Sequence, residues 1–224
     1  MVAKKVLAGL GLDKVLLAGS GTAPIPPEVL VWYRRLGLNL LEAYGMTEDF
    51  ACSHASRVTA NAVGHVGVPY SGVRVRLDHD GEVLIKSPGT MVGYYKEPGL
   101  TADSFTADGF FRTGDLGEHS ANGLLKISGR KKELFKTAKG KYIAPAPIEN
   151  RLNAHPMVEL SMVAGAGQSA AFAIVVPAEH LRPRLGIKES RDLLEAELER
   201  LLHDINVYLT KHERLERLVL AREP

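Results

Sequence analysis

From Lys14 to Ala18 the chain carries three consecutive apolar residues, Val15, Leu16 and Leu17, and then turns glycine-rich at Gly19-Ser20-Gly21. A short unbroken apolar run that stops in glycines predicts a buried strand closing in a tight turn. Pro26-Pro27-Glu28 opens a stretch in which Val29, Leu30, Trp32, Tyr33 and Leu36 recur at helical spacing, with Gly37 behind it. Proline in the first turn and glycine just past the last are the usual start and stop of a helix. Asn39 to Ala43 is a second apolar run. Strand, helix and strand over residues 12–48 predict a βαβ unit with a right-handed crossover. Ligands of open parallel sheets bind beyond the carboxyl ends of the strands, where residues 19–24 and 44–48 would both lie.

Past Gly64-His65-Val66-Gly67-Val68-Pro69 the period changes to two. Val73, Val75 and Leu77 alternate with charged residues, Asp80-Gly81 makes a turn, and Val83 and Ile85 resume the alternation. This predicts a hairpin. With strands over 109–113 and 123–128 it builds an antiparallel sheet or distorted barrel over 64–131, and 97–105 reads as a short helix. Beyond Arg130 the composition shifts again. Residues 143–147 are proline-rich, 148–154 read as a helix, and 157–165 and 171–177 as strands. Ser190 caps a longer helix whose Leu194, Leu198, Leu201, Leu202, Ile205 and Leu209 form one apolar stripe for core packing. The expected fold class is α/β (mixed α+β): a βαβ unit plus antiparallel sheet in 1–131, then a small α+β domain in 132–224.

Composition narrows the chemistry. The 224 residues are 45% apolar and 24% charged, with a net charge of +2, ordinary globular values that give no electrostatic case for nucleic acid. The single cysteine, Cys52, rules out an internal disulfide framework and fits a reducing compartment. No apolar run approaches the ~18 residues of a membrane span. Met1-Val2-Ala3-Lys4-Lys5 lacks the apolar core of a signal peptide, so a cytoplasmic protein is expected, with oligomeric state left open.

The chemistry concentrates in Phe111-Arg112-Thr113-Gly114-Asp115 and Gly129-Arg130-Lys131-Lys132-Glu133. The acid ends one strand-like run and the base follows another, so an antiparallel return brings Asp115 and Arg130 to the same end of a small sheet. A carboxylate accepts two hydrogen bonds from a vicinal diol, and a guanidinium supplies fixed donors beside it; that suits a ribose. Upstream, Tyr44-Gly45-Met46-Thr47-Glu48 offers an aromatic face, a turn, a hydroxyl and a carboxylate within five residues. Singly, Gly-Asp is ordinary turn chemistry and Gly-Arg-Lys-Lys a solvated basic loop. Their order and spacing carry the reading.

The three blocks in this order resemble the adenylate-forming superfamily of acyl-CoA synthetases and peptide-synthetase adenylation domains, a resemblance that runs from about Lys14 to Leu220. It implies an acid–thiol ligase: a carboxylate attacks the α-phosphate of ATP to give an acyl-adenylate and pyrophosphate, and AMP is then displaced by coenzyme A. By the same resemblance Gly21, Thr22 and Ala23 line the adenine and acyl sites, and Tyr44 stacks on adenine. Thr47 contacts phosphate and Glu48 holds Mg²⁺. Asp115 binds the ribose hydroxyls with help from Arg130, and Ile127 belongs to the nucleotide site. Lys132 becomes the hinge between half-reactions, and the loop carrying Lys139, Gly140 and Lys141 swings toward the thiol acceptor. Lys139 stands where glycine is common, and Ala121-Asn122-Gly123 replaces a usual Asp-Gly turn.

Residues 144–149 resemble long-chain fatty acyl-CoA synthetases, so the implied substrates are a fatty acid, ATP and CoA. The phosphate-gripping loop of the family would precede residue 1, and its terminal Gly-Lys segment would follow residue 224. The expectation is therefore an isolated chain without adenylation activity. The alternatives are an acyl-AMP ligase, a reductase adenylation domain, or a non-catalytic AMP-binding truncated paralogue.

Overall fold

The computed structural model describes residues 2–186 and 188–221, except the side chains of 184 and 189–191. The chain falls into two compact units, residues 1–131 and 132–224.

The first unit opens with a helix absent from the sequence reading, α1 (Val2–Gly9). Strand β1 (Ala18–Ser20), helix α2 (Pro27–Arg35) and strand β2 (Leu40–Tyr44) follow, and β1 pairs with β2 in parallel, Ala18 opposite Leu40. This is the expected βαβ unit. Its first strand, however, does not contain the Val15–Leu17 run: Leu16 is 103% and Leu17 75% exposed. The chain is still leaving α1 there, with Leu12 N–H bonded to the Leu7 carbonyl, and β2 begins only opposite Ala18. Without a ladder neighbour, an apolar run stays out of a sheet. Two short strands, β3 (His54–Ala55) and β4 (Val68–Pro69), complete this four-stranded sheet in antiparallel sense.

A second sheet is an antiparallel meander of β5 (Arg74–Leu77), β6 (Glu82–Lys86), β7 (Phe111–His119) and β8 (Leu125–Arg130), and helix α3 (Pro98–Asp103) sits in the β6–β7 connection. The hairpin turn at Asp80-Gly81 is as expected, with Gly81 at φ 85°. Fully buried Val83, Ile85 and Leu125 form its core, and Tyr44 and Met46 from the end of β2 pack onto it. The sequence reading ended a strand at Thr113. The structure instead carries β7 on to His119, with Asp115 in mid-strand. Gly114 explains the difference: it takes φ 72°, which glycine adopts without strain, and so bends the strand without ending it.

In the second unit β9 (Phe135–Lys136) and β10 (Tyr142–Ile143) make a small hairpin. Helix α4 (Pro145–Asn153) begins earlier than the proline-rich reading of 143–147 implied. Its prolines occupy the first turn, where a missing N–H breaks no intrahelical bond. Strands β11 (Val158–Ala164) and β12 (Ala171–Pro177) pair antiparallel, and helix α5 (Lys188–Val207) leads to β13 (Leu215–Leu220), parallel to β12. β13 was not anticipated, since Glu216 and Arg217 interrupt its apolar pattern. The α5 stripe packs as expected: Leu194, Leu198, Leu201 and Ile205 are buried against Ile148, Leu152 and the sheet, with Leu202 and Leu209 partly buried beside them. The expected Ser190 cap lies outside the described side chains.

Candidate functional site

Asp115 on β7 and Arg130, the last residue of β8, face each other directly across the ladder. Arg130 donates through Nε to Asp115 Oδ1 at 2.9 Å, and the Tyr44 hydroxyl donates to Asp115 Oδ2 at 2.6 Å. The Asp115 side chain is 5% exposed, whereas the Arg130 side chain is 60% exposed. A carboxylate offers about four lone-pair sites. Tyr44 and Arg130 each take one and fix the plane, so capacity for two further donors remains on a buried, oriented anion. Burial, and secondarily the Asp115 charge, push the Tyr44 hydroxyl well above its ordinary pKa, which keeps it a donor.

The backbone around Asp115 is held just as closely. Asp115 N–H donates to Thr113 Oγ1 at 3.0 Å, and that hydroxyl donates to the Val83 carbonyl at 2.8 Å. Gly114 N–H donates to Glu82 Oε1 at 3.1 Å. Sequence reasoning missed Thr113 and Glu82. The period-two pattern gave Glu82 no inward role, yet Glu82, Val83, Leu84 and Ile85 are all buried on β6, the strand between β5 and β7.

Beyond β2 the chain makes a single 3₁₀ turn, Thr47–Asp49, and then two left-handed residues, Phe50 (φ 53°) and Ala51 (φ 54°). The loop folds so tightly that a Cβ on Gly45 would lie 2.5 Å from the Ala51 carbonyl carbon, so only glycine fits there. Thr47 is exposed and Glu48 half-buried. Glu48 is fixed twice: its carbonyl accepts from Met91 N–H at 2.7 Å, and its Oε1 accepts from the Tyr94 hydroxyl at 2.9 Å. Tyr94 also escaped the sequence reading, as one of two adjacent tyrosines in a loop. Burial and the Glu48 charge raise its pKa.

Gly21, Thr22 and Ala23 are exposed in the loop after β1; Thr22 holds φ 67°, and a Cβ on Gly21 would sit 3.2 Å from the Ala43 carbonyl oxygen. That loop therefore runs beside the end of β2. Ile127 packs against the Val83–Ile85–Leu125 core. In the second unit Lys132 is exposed, and Lys139, Gly140 and Lys141 form the exposed β9–β10 turn over buried Thr137. The left-handed position of that turn is Gly140 (φ 77°), so the lysine at 139 introduces no backbone strain.

Behind Tyr44, fully buried His54 is its ladder partner, ring centroids 6.1 Å apart. Its Nδ1 meets Ser53 Oγ at 2.7 Å, while Nε2 is buried without a hydrogen-bond partner. Burial, with a smaller contribution from His119, pushes its pKa down to about 4. Among the described residues the one cluster of three metal-capable groups, Asp78, His79 and Asp80, lies elsewhere, on the β5–β6 turn. Its carboxylates already pair with Arg112 and Lys131.

Two family models match the chain: "AMP-binding enzyme" over residues 3–95 and "AMP-binding enzyme C-terminal domain" over 133–223. Asp115 and Arg130 fall between the matched stretches. A putative fatty-acid–CoA ligase, fadD11, of Mycobacterium tuberculosis H37Rv is 38% identical over 177 residues, 79% of this chain and 31% of that protein. Long-chain-fatty-acid–CoA ligase 5 of Rattus norvegicus is 37% identical over 208 residues, 85% of this chain and 30% of that protein. The chain thus spans about 30% of the length of these curated relatives. Among solved structures, the adenylation domain of a carboxylate reductase from Mycobacterium chelonae superposes with TM-score 0.75 at 27% identity, covering 100% of this chain and 36% of that one.

Proposed function

Because the chain belongs to the AMP-binding enzyme family, we propose that residues 1–131 carry the ribose and metal groups of a nucleotide site in a long-chain fatty acid–CoA ligase. The observation that carries this reading is the Asp115 carboxylate, buried, held at one oxygen by Tyr44 and at the other by Arg130, with lone pairs left for a diol. Such a carboxylate binds both ribose hydroxyls. Arg130, exposed beyond Asp115, adds positive charge where the phosphate of AMP leaves the ribose. The loop 21–23 and the Tyr44–Glu48 turn supply the remaining walls.

For Mg²⁺ the fit lies in the donor set. Magnesium takes one or two carboxylates and completes its shell with phosphate oxygens and water. Glu48 is half-buried, and the Tyr94 hydroxyl engages one of its two oxygens. Glu48 would hold the ion, which when bound neutralises phosphate charge; Thr47, exposed beside it, would donate to a phosphate oxygen. In the second unit Lys132 would act as hinge, and Lys139, Gly140 and Lys141 would approach coenzyme A. The residues so assigned account for ribose, one metal ligand and one phosphate contact. None grips the outer phosphates, so this chain alone would bind AMP in preference to ATP and release no pyrophosphate. A cytoplasmic setting fits the single cysteine, and among the described residues no helix is long and apolar enough to cross a membrane.

Calorimetry of AMP against the 224-residue chain tests the proposal. Binding that Asp115→Ala weakens at least 100-fold supports it, on the basis of about 1.5–3 kcal/mol for each hydrogen bond to a buried charge. AMP binding unaffected by that change overturns it. The match to a reductase adenylation domain along the whole chain favours a second reading, in which the chain is part of the adenylation domain of a carboxylate reductase. Both readings share the Asp115 site.

A further inference from the structure

Glu82 is a charged side chain in a buried strand, 3% exposed, and its surroundings account for it fully. Oε1 accepts the N–H of Gly114 at 3.1 Å, and Oε2 accepts Lys131 Nζ at 3.0 Å, with Arg112 at 3.5 Å. Lys131 also reaches Asp80 Oδ2 at 2.6 Å. A carboxylate taken out of water persists only when its charge is matched and its lone pairs are filled. Here two cations match the charge, and a backbone amide receives the other oxygen.

The amide is the informative partner. Gly114 sits at φ 72°, immediately before Asp115, and the β6–β7 register slips between Glu82 and Leu84. A slipped, left-handed residue loses its ladder partner on that side, and the half-buried Gly114 N–H then needs an acceptor from elsewhere. Glu82 supplies the missing acceptor. Thr113 completes the brace on the other side by tying Asp115 N–H to the Val83 carbonyl. On its β6 side the kink that aims Asp115 is thus held by two side chains, while on its β8 side Asp115 keeps its ladder place opposite Arg130.

We propose that Glu82 is a positioning residue for nucleotide binding: its buried carboxylate, charge-balanced by Lys131 and Arg112, clamps the Gly114 amide and thereby sets the direction of the Asp115 carboxylate. This rests on the reading of Asp115 as the ribose-binding acid. It requires that the acceptor oxygen matter more than the charge for aim, because an amide oxygen can also accept from Gly114.

The test combines a ligand-free readout with a binding one. In the 224-residue chain, hydrogen exchange measured by NMR follows the Gly114 amide, and calorimetry follows AMP. Glu82→Ala is expected to speed Gly114 exchange at least tenfold and to weaken AMP at least tenfold, about the worth of one net hydrogen bond to a charged group. Glu82→Gln is expected to restore both to within about threefold, because it returns an acceptor of the same length. Should Glu82→Ala fail to fold, Glu82→Gln and Thr113→Val carry the comparison, the latter weakening AMP while Gly114 stays protected. Unchanged Gly114 exchange in Glu82→Ala, or a Glu82→Gln that binds AMP as poorly as Glu82→Ala, overturns the proposal. If wild type binds no AMP at all, the ribose reading fails, and Gly114 exchange still decides whether Glu82 holds the kink.

Discussion

Two carboxylates, Asp115 and Glu48, are held in contrasting ways. Asp115 stands in the middle of a strand, buried, with a donor on each oxygen and its backbone braced by Thr113 and by its neighbour's bond to Glu82. Glu48 stands on a one-turn loop, half-buried, with the Tyr94 hydroxyl on one oxygen and a single backbone bond from Met91. The sheet-borne acid is pre-oriented and cannot follow its ligand. The loop-borne acid keeps side-chain freedom. A diol of fixed geometry rewards the first arrangement, because little ordering remains to be done on binding. A hydrated divalent ion, which keeps several waters and moves with the phosphate, is compatible with the second. The difference in support is therefore a difference in task.

The comparison breaks most directly at Asp115. Asp115→Ala should cost at least 100-fold in AMP affinity by calorimetry, whereas Glu48→Gln should cost less than about fivefold without Mg²⁺, since a loop-borne metal ligand contributes little to nucleoside binding. Equal losses would erase the distinction.

The next largest effect is on the support behind the sheet-borne site. Folded His54 stays neutral down to about pH 4, while the unfolded chain takes up that proton near 6.5. Below 6.5 the unfolded state therefore binds more protons. The stability present above 6.5 is lost as pH falls toward 4, by about 2–3 kcal/mol in urea midpoints converted to free energy. His54→Gln should flatten that part of the profile.

A smaller effect follows at Tyr44. Tyr44→Phe keeps the ring and removes one donor to Asp115, so AMP affinity should fall about tenfold and stability by about 1–3 kcal/mol in urea denaturation. Smallest of all, Tyr94→Phe should leave AMP affinity in the absence of metal unchanged and shift only its Mg²⁺ dependence, by about threefold in half-saturating Mg²⁺. A Tyr94→Phe effect as large as that of Tyr44→Phe would mean that the loop is as rigid as the strand.

The same contrast explains what could be read before the structure. Period and punctuation are local, so the βαβ unit, the Asp80-Gly81 hairpin and the α5 stripe were all legible in the sequence. Val15–Leu17 misled because burial depends on a neighbour that begins only at Leu40. The continuation of β7 past Gly114 was hidden because a glycine that bends a strand and a glycine that ends one look alike in sequence. Asp115 and Arg130 could be nominated from their neighbours. Tyr94, Thr113 and Glu82 could not, because each acts through a contact set by strand order: Tyr94 lies 46 residues from Glu48, and Glu82 lies 32 residues from Gly114.

The central claim is that the Asp115 carboxylate reads the two ribose hydroxyls. The most direct measurement compares AMP with 2′,3′-dideoxy-AMP by calorimetry in wild type and in Asp115→Ala. Wild type should favour AMP at least 100-fold, at about 1.5–3 kcal/mol for each of the two hydrogen bonds to a buried charge, and Asp115→Ala should bind both equally weakly. Equal affinities in wild type, or a preference for AMP that survives Asp115→Ala, would contradict the account.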